Sequence, residues 1–226
     1  MKRLMTSMLL MAFLSVSCNK SGSSSSDGSN QNSNTEAASA GDSAAVPNTT
    51  PPAATSTLPA LALSFKTNVD LLNFTTTEEE KYNKAVVMVK KVVGTEKFKN
   101  SVINHTWGGV KTYANNRGMT NSQIYQSVLD AAESLKPIKN NTMDLGVKLY
   151  YEASTVIGYT NTSINYINVN TKYFNTFSIN DVAGNLFHEW LHKLGYGHDS
   201  AATAQRPYSV PYAVGYIVRD IGKSFL

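Results

Sequence analysis

Residues 188–198 read His-Glu-Trp-Leu-His-Lys-Leu-Gly-Tyr-Gly-His and hold three of the four histidines in the chain. An α-helix turns once in about 3.6 residues, so His188 and His192 project from one face a turn apart, where two imidazoles can grip one metal ion. Glu189 stands beside that pair. Gly195 can adopt the positive φ that ends a helix and reverses the chain, which brings His198 back as a third nitrogen donor. Three neutral imidazoles with a fourth position open are the donor set of a catalytic zinc, whereas structural zinc is closed by four protein ligands, mostly cysteines. The single cysteine, Cys18, lies far upstream. Every fixed position beyond the short His-Glu-x-x-His spacing lowers the frequency expected by accident, so the extension through Gly195 and His198 makes chance a poor explanation.

Such donors need a rigid support. Ser178 with Asp181 three residues on has the form of a capping box, and the helix it opens is expected over 179–194, anchored by Ile179, Val182, Leu186 and Leu194. Pro211 suits the first turn of a last helix running through 212–221. Upstream, acidic residues followed by lysines and a valine stripe predict an amphipathic helix over 78–93, capped by Thr76 or Thr77 and stopped by Gly94. Shorter helices are expected over 96–104 and 122–136, the second with Ile124, Val128, Leu129, Ala132 and Leu135 on one face and Pro137 at its end. His105 and Trp107-Gly108-Gly109 fall between these two and read as loop packing. Strands are expected over 145–151, 156–159 and 164–170, the last two joined as a hairpin by the turn-forming 160–163. The fold class is therefore α+β, with early helices backing a small sheet and the motif helix crossing beneath a cleft.

The run His188-Glu189-x-x-His192-x-x-Gly195-x-x-His198, followed by Asp199, resembles the zinc signature of the metzincin metallopeptidases. The resemblance covers 188–199 only. It implies a metzincin-like fold with a small mixed sheet and the zinc-binding helix below the cleft. It also implies Zn2+ on the three histidines, with Glu189 as general base on a zinc-bound water during hydrolysis of a peptide or protein substrate. Asp199 is then an outer partner that orients His198 or a chain terminus. An edge strand would align the extended substrate, and 164–169 is the candidate. The chain departs from the family after His198: its last methionine is Met143, so no methionine-bearing turn can underlie the metal. Ser209-Val210-Pro211-Tyr212 is the nearest equivalent, with Tyr212 directed at the ion. Two other readings fit the same residues, a lipid-anchored binding or surface protein with a non-catalytic zinc, and a zinc amidase acting on cell-wall peptides.

The chain opens Met1-Lys2-Arg3, continues with an apolar stretch over 4–16 and breaks at Ser17-Cys18, the marks of a secretory signal over 1–17 that is too short to span a bilayer. Leu14-Ser15-Val16-Ser17-Cys18 resembles a bacterial lipobox, with Ser15 where leucine is usual. It implies cleavage before Cys18, lipid on that cysteine, and anchoring to the bacterial cell envelope; Asn19 is compatible with the outer membrane. A lipidated sulfur cannot form a disulfide, which leaves the fold to its core and its metal. The rest of 18–58 is Ser, Asn, Ala, Thr, Gly and Pro, a composition that cannot bury enough apolar surface to offset chain entropy and reads as a tether. Residues 59–226 make one domain. With 20 Lys+Arg against 16 Asp+Glu and no basic run denser than Lys90-Lys91, nucleic acid is not an expected partner, while the oligomeric state stays open.

Overall fold

The first turns of most of the helices are closed by side chains that the sequence places there. The computed structural model describes residues 66–226. The expected leader at 1–17, Cys18, the tether through 58 and the first residues after 59 lie outside the described residues. The element order is β1 (Lys66–Leu72), α1 (Thr76–Val93), α2 (Glu96–Ile103), α3 (Asn121–Asp130), β2 (Thr142–Tyr150), β3 (Gly158–Tyr159), β4 (Ile167–Asn170), α4 (Thr171–Phe174), α5 (Ile179–Lys193) and α6 (Val210–Gly222), with single 3-10 turns at Arg206–Tyr208 and Lys223–Phe225. Thr75, Thr120 and Ser178 each accept from the N–H three residues on, while Glu78, Gln123 and Asp181 accept from the cap backbone, so α1, α3 and α5 all begin with a capping box.

The four strands form one mixed sheet in the order β1-β2-β4-β3. β1 and β4 flank β2 in parallel, and β3 closes antiparallel on β4 with Gly158 opposite Val169. Along β2 the side chains of Met143, Leu145, Val147 and Leu149 are buried and alternate with more exposed neighbours, the period-two pattern of a sheet with one apolar face. α5 is the central helix, in contact with α1, α6, β3 and β4. Val182, Ala183, Leu186, Phe187, Trp190 and Leu191 bury its apolar surface against the Tyr82, Ala85, Val89 and Val92 face of α1 and the Val214, Val218 and Ile221 face of α6. Full burial of each large apolar side chain contributes about 2 kcal/mol, which makes this helix the most firmly seated support for the motif.

Several expectations change. The cap of α1 is Thr75, not Thr76 or Thr77. α3 stops at Asp130 instead of continuing to 136, because Ala131 takes the left-handed conformation (φ 49, ψ 42) and the Asp130 carbonyl accepts from the N–H groups of Asn140 and Asn141. Leu135 is exposed, whereas Glu133 turns inward. The segment 164–169 cannot serve as an edge, since β4 is paired on both sides; the edge beside the motif helix is β3. β1 and α4 were not expected at all. The α+β class, the hairpin of β3 and β4, and α2, α5 and α6 stand as read.

Candidate metal centre

His188 and His192 extend from the last turns of α5, and His198 returns to them from the loop that follows. One ring nitrogen from each of the three lies within 4.8 Å of the others, and their ring centroids are 4.8–5.2 Å apart. The return is made by Gly195, at φ +89, a conformation that a side chain rarely adopts. The Gly195 N–H donates to the His192 carbonyl at 3.0 Å and the Tyr196 N–H to the Leu191 carbonyl at 3.1 Å, while Arg117 Nη1 donates to the Leu194 carbonyl at 3.1 Å. These bonds satisfy carbonyls that the helix end would otherwise leave without partners.

Main-chain carbonyls also fix the tautomers. His192 Nδ1 is 2.8 Å from the Tyr196 carbonyl and His198 Nδ1 is 2.9 Å from the Asp199 carbonyl. A carbonyl only accepts, so both Nδ1 atoms carry the proton and both Nε2 atoms keep a lone pair. His188 bonds the backbone of Pro211, which has no N–H and so also accepts. Each ring thus offers its second nitrogen to an ion while its first is held in place, the outer arrangement of well-ordered metal-binding histidines. Burial, then repulsion from His198 and, for His188, also from His192, pulls the His192 pKa down to about 4 and that of His188 well below its ordinary value; His198 is lowered as well, by burial first. All three rings are neutral at pH 7, the form that coordinates. A three-imidazole donor set with pinned outer nitrogens fits a metal ion.

Glu189 is 4% exposed and packs beside Gly158 of the edge strand β3; burial raises its pKa to about 8. Tyr212 is 5% exposed, with its ring 4.5 Å from that of His188 and 4.8 Å from that of His198, so the turn after the 3-10 segment underlies two of the three histidines. The Arg206 guanidinium lies over the Tyr212 ring at 5.0 Å, and burial first of all raises the Tyr212 pKa to about 12. A cavity beside the centre is walled by His188, Glu189, Tyr212, Tyr216, Phe177 and Ile157. Asp199 acts through two groups. Its backbone carbonyl orients His198, while its carboxylate accepts from Thr203 Oγ1, from Gln205 Nε2 at 2.8 Å and from Asn115 Nδ2 at 3.3 Å, and so organises the ligand loop. His105 stays apart from the trio and stacks on Tyr113 at 4.1 Å, the packing role its position suggested.

Arg117 and Asn115 join the centre without any warning in the motif, because they reach it from a loop distant in sequence, and Arg206 joins it from the 3-10 turn just after the motif. No family model matches the chain, and no curated protein or solved structure matches it.

Proposed function

We propose that this chain is a zinc-dependent metallopeptidase, metzincin-like in its ligand set, that hydrolyses peptide bonds at the bacterial cell envelope, where lipid on Cys18 anchors it. The observation that carries this reading is the convergence of His188, His192 and His198 with a buried carboxylate beside the first of them. His188, His192 and His198 would hold the ion, and zinc bound there would supply Lewis-acid polarisation and acidify water.

Glu189 is the proton carrier. Its buried carboxylate lines the same cavity as His188 and Tyr212, where a raised pKa suits a group that takes a proton and gives it back to a leaving amine. An extended peptide would add to the outer edge of β3 at Gly158–Tyr159, since 164–169 is interior to the sheet, with main-chain hydrogen bonds setting its register. One of its side chains would enter the cavity of Phe177, Ile157 and Tyr216. Tyr212 serves as the floor for His188 and His198 that methionine would otherwise provide.

The test is metal content and peptide-library cleavage on purified protein. Glu189→Ala is expected to keep one zinc per chain and lose cleavage by at least about a hundredfold, the scale of general-base catalysis. His192→Ala is expected to lose both. Normal turnover in the Glu189 variant removes the proposed base, and an absence of zinc in the parent removes the centre.

A further inference from the structure

The back of α5 carries a polar anchorage that neither the metal centre nor the core accounts for. Glu133, 1% exposed, reaches in from the loop after α3, and its Oε1 accepts both the Trp190 indole N–H at 2.7 Å and the Asp144 backbone N–H at 3.0 Å. Trp190 is fully buried. One turn further along the same face, Lys193, 5% exposed, donates through Nζ to the carbonyls of Ile164 at 3.0 Å and Asn165 at 2.8 Å, and its own carbonyl accepts from Ser134 N at 2.8 Å. Asp144 is further tied to Lys136 at 3.1 Å. The helix that bears the ligands is therefore bonded from behind to β2 and to two loops.

Position gives this anchorage its meaning. Successive residues of a helix are about 100° apart, so Trp190, two residues from His188 and two from His192, points directly away from the midpoint of those two rings. Apolar burial is non-directional and restrains the roll of a helix only through the fit of its side chains, whereas breaking a buried hydrogen bond leaves a desolvated group without a partner. The imidazole nitrogens stand about 6 Å from the helix axis, so a roll of about 10° carries them about 1 Å. Metal–ligand distances tolerate only about 0.2 Å.

We propose that Glu133 is a positioning residue for the metal centre: through the Trp190 indole it fixes the roll of α5 and so aims His188 and His192. The proposal rests on the metal-binding part of the function given above. It needs an acceptor at Oε1, not a charge, and burial raises the Glu133 pKa in the direction of the neutral acid. A carboxamide retains that acceptor.

Zinc affinity, measured on the full chain by competition with a chromophoric chelator well below the unfolding temperature, tests this. Glu133→Gln is expected to bind zinc within about threefold of the parent. Glu133→Leu is expected to bind at least about tenfold more weakly, the range seen when outer partners of metal ligands are removed. Trp190→Phe keeps the buried ring and removes the N–H, and is expected to match Glu133→Leu even if the latter folds poorly. The double variant should be no weaker than either single one, since both remove the same bond. A general packing role lowers the unfolding temperature of Glu133→Leu and Trp190→Phe but leaves their zinc affinity at the parent value; that outcome, or a Glu133→Gln as weak as Glu133→Leu, overturns the proposal. A parent chain that takes up no zinc overturns the metal centre itself, a result distinct from parental affinity in the variants.

Discussion

Each histidine of the trio is held at two levels, by the backbone that carries it and by a main-chain carbonyl that accepts the hydrogen bond of its ring N–H. Carbonyls of Tyr196, Asp199 and Pro211 do the work that carboxylates do in many metal sites, so the outer shell adds no charge and the rings stay neutral. Tyr212 is the residue whose role this arrangement defines most sharply. Its ring touches His188 and His198 from below, and the phenol is remote from titration at neutral pH. Tyr212→Phe should therefore leave zinc affinity within about threefold of the parent. Tyr212→Ala opens a cavity under two ligands, costs about 3 kcal/mol of stability and weakens zinc binding; thermal unfolding and chelator competition read the two effects separately. Equal zinc affinity in Tyr212→Ala would deny the turn any part in supporting the metal.

At the scale of elements, α5 and the turn behind it could be read from sequence because each device is local: Ser178 and Asp181 are three residues apart, the apolar positions keep a helical period, and Gly195 marks the reversal. That turn has its own prediction. A Cβ on residue 195 would meet Arg117 Nη1 at 2.7 Å in a backbone conformation that side chains avoid. Gly195→Ala is expected to cost about 1–3 kcal/mol and to weaken zinc at least about tenfold by displacing His198, while circular dichroism shows the helices intact. Removing the helix cap instead, by Ser178→Ala, should cost about 1 kcal/mol and spare the metal, because the ligands lie at the opposite end of α5. What could not be read depended on distant partners. β1 opens with three polar residues, Lys66-Thr67-Asn68, and ends on Leu71-Leu72, so it has no clear period of two and is a strand because it lies against β2, Val69 beside Leu145. The periodic pattern of α3 ran on through Leu135, but the structure breaks it at Ala131 and spends the next turn delivering Glu133 to Trp190, a bond between residues 57 positions apart. The 164–170 stretch was recognisable as strand, yet its interior place follows from β2 pairing on one side and β3 on the other, which no single segment encodes.

For the whole molecule, the buried ionisable groups of the centre predict how stability of the metal-free chain varies with pH. Glu189 titrates at about 8 when folded against an ordinary 4.5, so the folded chain keeps a proton that the unfolded chain releases; this contribution is complete below about pH 4.5 and lost as pH rises through 8. Glu133, raised for the same reason, acts in the same sense. The histidines act oppositely. His192 titrates at about 4 instead of 6.5, with His188 and His198 also lowered, so their contribution is present above pH 6.5 and lost as pH falls below it. Between about pH 4.5 and 6.5 three imidazoles outweigh two carboxylates and stability climbs. Above 6.5 the Glu189 contribution remains, releasing stability at up to about 1.4 kcal/mol per pH unit as pH rises toward 8. The unfolding temperature of chelator-treated protein should accordingly peak near pH 6.5 and decline toward 8. Glu189→Gln should flatten the decline, because the amide has no proton to lose, and it should steepen the climb below pH 6.5, where the carboxyl opposes the histidines. Saturating zinc should raise the whole curve and most at the alkaline end, where an ion facing Glu189 favours the carboxylate and protons no longer compete for the rings. A metal-free curve that keeps rising from pH 6.5 to 8, or a decline unchanged by Glu189→Gln, would show that the carboxylate beside His188 is not held protonated by its burial.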